Sequence, residues 1–172
     1  MAEFDERELV ARCQRGDDGA FGELVERYKN LVYAMIYRMV EDRSQVDDLA
    51  QDVFLKVHRG LPYFRGEARL STWIYRIVSN ECVQARSRRR ERTSTRDVAE
   101  PAAADGAFAD LEVRDRIEKA MAQLPDNYRF LVAAHYLKGV QYEALAEALN
   151  LPLGTVKTHL YRAKRQLREL LS

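Results

Sequence analysis

Residues 141–168 read QYEALAEALNLPLGTVKTHLYRAKRQLR, and the fold of the whole chain turns on this stretch. Ala144, Leu145, Ala148 and Leu149 recur at helical intervals, which predicts a helix with one narrow apolar stripe. Asn150 tolerates a left-handed backbone and can close that helix. Pro152 then stands at the start of a second helix, where a missing N–H costs little. Two helices joined by so short a turn make a helix-turn-helix.

Stepping about 100° per residue along the second helix groups Val156, Leu160, Ala163, Leu167 and Leu170 as a buried face. The opposite side carries Gly154, Thr158, Tyr161 and Arg165, flanked by Thr155, Lys157 and Arg162. His159 falls near the core edge, and no carboxylate intrudes before Glu169. Cations suit phosphates, and short polar or bidentate groups suit base edges. Gly154 leaves room for backbone N–H groups to approach a phosphate. A basic face can also be mere solvated surface. The turn helix ahead of it favours duplex DNA.

Upstream the helical period continues. A short helix is expected near Glu6–Arg15, stopping at Gly16, with Asp17-Asp18-Gly19 as a turn. A long amphipathic helix follows from about Ala20 to Val40, using Phe21, Leu24, Val25, Tyr28, Leu31, Val32, Met35 and Met39. Ser44-Gln45-Val46-Asp47 has the form of a capping box for a third helix, which buries Val46, Leu49, Val53 and Val57 and ends near Gly60-Leu61-Pro62. Ser71 is the expected cap of a fourth helix reaching about Arg88. Between Thr93 and Asp110 the period collapses into a stretch that reads as a tether. It resumes at Leu111, is broken by Pro125, and continues to Leu137 and Lys138-Gly139. The expected fold is therefore all-α: two small helical domains, 1–92 and 113–172, joined by a flexible acidic linker, 93–112.

The net charge of +1 hides a strong segregation. Residues 1–60 hold nine Lys/Arg against thirteen Asp/Glu, and 61–96 hold nine Arg against three Glu. Residues 97–112 hold five acidic side chains and no basic one, and 113–172 hold ten basic against six acidic. Alternating blocks of this kind suit two sorts of partner. The two cysteines, Cys13 and Cys82, form no Cys-x-x-Cys pair, and His58, His135 and His159 are scattered, so zinc-ligand spacing is absent. No cofactor, no metal, no small-molecule substrate and no enzymatic activity are expected, since no nucleophile–base pair stands out. Neither a membrane span nor a secretory signal is visible, and a cytoplasmic location is expected.

Two further surfaces stand out. The fourth helix sets Thr72, Arg76, Asn80, Val83 and Ser87 opposite Ile74, Ile77, Val78, Glu81, Cys82 and Ala85, with Trp73 at the margin. The loop before it carries Phe64, Arg65, Ala68 and Arg69, and Arg86, Arg88, Arg89 and Arg90 extend from the helix end. Aromatics beside arginines suit unstacked bases and a single-stranded backbone. They are equally compatible with core packing and with a favourable helix C-terminus. On the third helix, Asp48, Gln51, Asp52, Leu55 and Arg59 share the outer face. An apolar residue among carboxylates there suggests a protein-docking surface, although a lone exposed leucine is also ordinary.

In this order, these motifs resemble the extracytoplasmic-function sigma factors, from Phe21 to Leu170. Phe21-x-x-Leu24-x-x-x-Tyr28 is similar to region 2.1 of that family, and Asp47–Phe54 (DDLAQDVF) to region 2.2. Phe64-Arg65-Gly66-Glu67-Ala68, with Ser71-Thr72-Trp73-Ile74-Tyr75-x-Ile77-x-x-Asn80, resembles regions 2.3 and 2.4. Leu124-Pro125-x-x-Tyr128-Arg129 and Gly154–Thr158 resemble region 4. The resemblance implies core RNA polymerase as partner, gripped through the clamp of its largest subunit and the flap of its second-largest. It assigns Asp48, Gln51, Asp52 and Phe54 to the clamp, beside Leu55. It assigns Phe64, Arg65, Ala68, Ser71, Thr72, Trp73, Arg76 and Asn80 to melting and capture of the −10 element. Lys157, Thr158, Tyr161 and Arg162 fall to the duplex −35 element, with Thr155 and Arg165 on the same face. The acidic linker replaces the middle region of larger sigma factors, and an inhibitory anti-sigma partner is compatible with the family. Two other readings stay open on the residues alone: a response-regulator-type helix-turn-helix protein, and an adaptor that binds only proteins.

Overall fold

A computed structural model describes the backbone of residues 2–93 and 108–172 and the side chains of 6–89 and 113–172. The tether expected at 93–112 therefore lies outside the described residues over 94–107. Among the described residues there are eight α-helices and no strand. They are α1 (Ala2–Gln14), α2 (Asp18–Met39), α3 (Val46–Gly60), α4 (Leu70–Thr93), α5 (Phe108–Gln123), α6 (Asp126–Val132), α7 (Tyr142–Leu149) and α8 (Leu153–Leu171).

The first four helices pack around α2, which buries Leu24, Tyr28, Val32, Met35, Ile36 and Met39 on one stripe. Onto it fold Val46, Leu49, Val53 and Val57 of α3, and Ile74, Tyr75, Val78 and Cys82 of α4. Each such side chain contributes roughly 1.5–3 kcal/mol of burial. Leu9 and Val10 of α1 complete the core. The helix starts differ from expectation. Asp17 caps α2 by accepting from Ala20 N–H at 3.0 Å, so the helix opens at Asp18, inside the expected turn. Asp42 takes the role expected of Ser44: it accepts from the Ser44 hydroxyl at 2.7 Å and from the Gln45 side chain at 2.9 Å, closing a 3-10 turn that feeds α3. These bonds, Ser44's first, hold its carboxyl below the usual carboxylate range. Ser71 caps nothing, because α4 begins one residue earlier and Leu70 N–H is met by Glu6 Oε1 at 3.2 Å. Glu81 is buried on α4 and paired with Lys56 of α3, which supplies the charge that a buried carboxylate needs.

The last four helices form the second bundle. The α5 backbone starts at Phe108, ahead of the expected position 113. After α6 the chain widens into a π-helical turn, Ala133–Leu137, and reverses at Gly139, whose φ is +67°. Asn150 ends α7 with φ 52° and ψ 47°, the left-handed conformation expected there. Val156, Leu160 and Ala163 of α8 are buried. Leu167 is half-buried and Leu170 is exposed, so the apolar face stops short of the last turn.

Arg129 ties this bundle together and to the first. It is 1 % exposed. Its guanidinium donates to the carbonyls of Met121 (2.8 Å), Leu124 (3.2 Å) and Ala122 at the end of α5, and to Met39 (3.2 Å), the last residue of α2. The bundles meet elsewhere too. Tyr75 and Phe130 pack edge to face at 6.2 Å, Arg86 pairs with Asp126, and Arg43 meets Glu118 at 3.0 Å. Cys82 is enclosed, and burial pushes its thiol up to about 12; Cys13 is half-buried. No helix among the described residues is long and apolar enough to cross a membrane.

Candidate nucleic-acid and polymerase surfaces

The outer face of α8 is open. Lys157, Thr158, Tyr161, Arg162 and Arg165 are all exposed, Tyr161 at 70 %. Thr155 is half-buried at the helix start. Gly154 has open space where a Cβ would sit, so the first turn can approach another surface closely. The Thr158 hydroxyl donates to Gly154 O at 2.8 Å. Arg165 reaches Glu169 at 3.3 Å, an exposed pair of small energetic weight. Behind this face, His159 packs on Tyr128 with ring centres 5.0 Å apart and lies 3.4 Å from the Asn127 amide, which fixes α8 on α6.

The loop and helix expected to hold a single strand are partly enclosed. Phe64 and Trp73 pack against each other with centroids at 5.1 Å. A Cβ at Gly60 would fall 2.7 Å from the Trp73 ring, so the indole lies flush on the end of α3. Arg65, Arg69 and Asn80 are exposed, and Ala68 and Ser71 half-buried. Thr72, placed on the outer side by the helical period, is 2 % exposed. Arg76, one turn on, donates to the carbonyls of Glu147 (2.7 Å) and Ala148 (2.9 Å) at the end of α7. For Arg76 the reason is tertiary: α7 of the second bundle packs on α4 and brings its last carbonyls to that side chain. Nor do the arginines at the helix end all extend freely, since Arg86 and Arg89 both engage Glu41.

On α3, Asp48, Gln51, Asp52 and Leu55 are exposed on one face, Leu55 at 46 %. Phe54 is half-buried against the core and anchors that face. Among the described residues no group of His, Cys, Asp or Glu side chains could hold a metal ion. Gln14 and Glu6 contact the loop from α1, and nothing in helical periodicity marks a polar residue whose partners lie 47 to 64 positions away.

Two family models match the chain: Sigma-70 region 2 over residues 24–92, and Sigma-70 region 4 over residues 114–167. A chain with those two regions in that order, the second a DNA-binding helix-turn-helix, is a transcription initiation factor of the sigma-70 type. The chain is 34% identical over 185 residues to the RNA polymerase sigma-H factor of Pseudomonas aeruginosa, covering 99% of this chain and 96% of the relative. It is 31% identical over 173 residues to the ECF RNA polymerase sigma-E factor of Escherichia coli K12 (92% and 90% covered), and 28% over 180 to SigW of Bacillus subtilis (96% and 96%). It belongs to the extracytoplasmic-function (ECF) sigma factors, which direct RNA polymerase to promoters and are not enzymes. Among solved structures, the sigma factor RpoE of Bartonella quintana, in complex with the anti-sigma factor NepR, superposes with a TM-score of 0.74 at 25% identity, covering 88% of this chain and 96% of that one. CnrH, in complex with the cytosolic domain of CnrY, shares the fold with a TM-score of 0.74 at 24% identity, covering 96% of each.

Proposed function

We infer that the chain acts as two cooperating readers on RNA polymerase, one domain ending with α4 and the other starting with α5. Lys157, Thr158, Tyr161 and Arg162 contact the duplex −35 element, with Thr155 and Arg165 beside them. The observation that carries this reading is the open outer face of α8, cationic and hydroxyl-bearing, behind a formed helix-turn-helix. Phe64, Arg65, Ala68, Ser71, Thr72, Trp73, Arg76 and Asn80 serve the −10 element. The exposed members grip the opened strand, and Arg76 is released to join them as α7 leaves α4. Stacking and cationic contacts offset the unstacking of a flipped base.

Asp48, Gln51, Asp52 and Leu55, backed by Phe54, dock on the clamp of the largest subunit, and the second bundle meets the flap of the second-largest. Tethering both domains on polymerase raises their effective concentration, so neither need bind tightly alone. The structural likeness to RpoE held by NepR supports an anti-sigma partner that stabilises a closed arrangement. The chain works in the cytoplasm. Run-off transcription with core polymerase tests this reading: a promoter-specific transcript is expected only when the chain is added, and Lys157→Ala with Arg162→Ala removes it. An unchanged transcript in that double variant would show that the −35 contact does not run through Lys157 and Arg162.

A further inference from the structure

The helix α1 lies ahead of the residues matched by the region 2 model, and it touches the strand-reading loop at both ends. Gln14, its last residue, directs the side-chain nitrogen at two carbonyls: Leu61 O at 3.0 Å and Phe64 O at 2.9 Å. An amide nitrogen carries two N–H bonds, so each carbonyl receives one and the donor is saturated. These carbonyls bracket the 3-10 turn Leu61–Tyr63, whose own closing bond runs from Phe64 N–H to Leu61 O at 3.1 Å. The turn faces Phe64 onto Trp73 and leaves Tyr63 83 % exposed. At the far end, Glu6 Oε1 accepts from Leu70 N–H, the first residue of α4, while Oε2 accepts from the Tyr28 hydroxyl at 2.5 Å.

We propose that Gln14, with Glu6, is a positioning residue for capture of the opened −10 strand, fixing both ends of the 61–70 loop before DNA arrives. The inference rests on the reading of Phe64 and Trp73 as strand contacts. Its physical basis is preorganisation: a loop already held in its bound shape loses less conformational freedom on binding. Gln14 itself touches no base. It acts through the loop backbone, so its removal weakens strand capture and leaves the polymerase-facing side of α3 intact.

The test uses the full chain, alone and assembled with core polymerase, and the variant Gln14→Met, which keeps length and neutrality but has no donor. Three quantities are measured: affinity of holoenzyme for a fork-junction promoter with a single-stranded −10 segment, affinity for core, and acrylamide quenching of Trp73 in the free chain. Trp73 is the single tryptophan, so its emission reports the loop directly. Fork affinity is expected to fall about tenfold, equivalent to ~1.4 kcal/mol, with core affinity unchanged and quenching increased. Native fork affinity in Gln14→Met, whatever the quenching shows, overturns the proposal. A parallel loss of core affinity also overturns it, because Gln14 then serves only the stability of the bundle. Trp73→Ala separates the two levels: if it binds the fork as the wild type does, the strand-reading role of the loop fails first.

Discussion

Helices α8 and α4 were both read from their sequence as amphipathic, each with one polar, cation-rich side, yet they present those sides differently. On α8 the polar side is open along Lys157, Thr158, Tyr161 and Arg162. On α4 it is interrupted, with Thr72 buried and Arg76 bound to the end of α7. The cause is the origin of the neighbours. The inner side of α8 rests on α5, α6 and α7, all helices of its own bundle, and its outer side is exposed. The covering of α4 comes from the other end of the chain. Amphipathic periodicity describes a helix against one surface; a second surface, supplied by a distant domain, can hide a polar side without changing the pattern.

The largest effect is expected from Arg129, which joins the end of α5 to the end of α2. Arg129→Met leaves several buried carbonyls without their donor, each costing about 1–3 kcal/mol where water cannot replace it, and should lower stability by roughly 3 kcal/mol or more. Urea unfolding reads this, and a loss under about 1 kcal/mol would show that water replaces the guanidinium at little cost. Next comes the ion pair between the bundles at Arg86. Asp126→Arg sets a second cation against Arg86 and should weaken the interdomain contact by roughly 2–3 kcal/mol. Small-angle scattering should then report a larger radius of gyration for the free chain; an unchanged radius would mean that the other contacts, those of Arg76, Arg129, Arg43 and Tyr75, suffice to hold the bundles together.

A third variant pair separates the two helices directly. Lys157→Ala should weaken binding of a −35 duplex about tenfold and reduce its salt dependence by about one unit of slope, whereas Arg76→Ala should change neither. Equal losses in both would erase the distinction. The smallest effect concerns Asp17, whose carboxyl is held below its ordinary value of 3.8 chiefly by Ala20 N–H and then by Arg12. Because the folded value is lowered, the cap contributes fully above the unfolded value and is lost as pH falls through the folded one. Thermal midpoints recorded from pH 5 down to 2 should therefore converge with those of Asp17→Asn at the acid end. Curves that stay parallel throughout would remove Asp17 from the account.

What was legible in the sequence follows the same division between near and far. Asn150 adopts the left-handed conformation that its residue type suggested, and α7 ends and α8 begins where Asn150 and Pro152 placed them. The stripes of α2 and α3 were equally local. Capping was harder, because several polar residues compete within a few positions: Asp42 outcompetes Ser44, and Asp17 starts α2 inside what read as a turn. Ser71 lost its capping role to Glu6, which lies some sixty positions away. Leu170 continues the apolar period of α8 but is exposed. The open face of α8 could thus be drawn from one segment. The loop at 61–70, held by α1 on one flank and Trp73 on the other, could not.

The bond from the Thr158 hydroxyl to Gly154 O has a consequence for base choice in the proposed −35 contact. A hydroxyl whose hydrogen is turned back onto its own helix offers only lone pairs outward. In the major groove those lone pairs are met by the exocyclic amines of adenine and cytosine and repelled by the carbonyl oxygens of guanine and thymine. An internal bond of one helical turn would then act as a polarity filter, turning an ambivalent side chain into one with a preference.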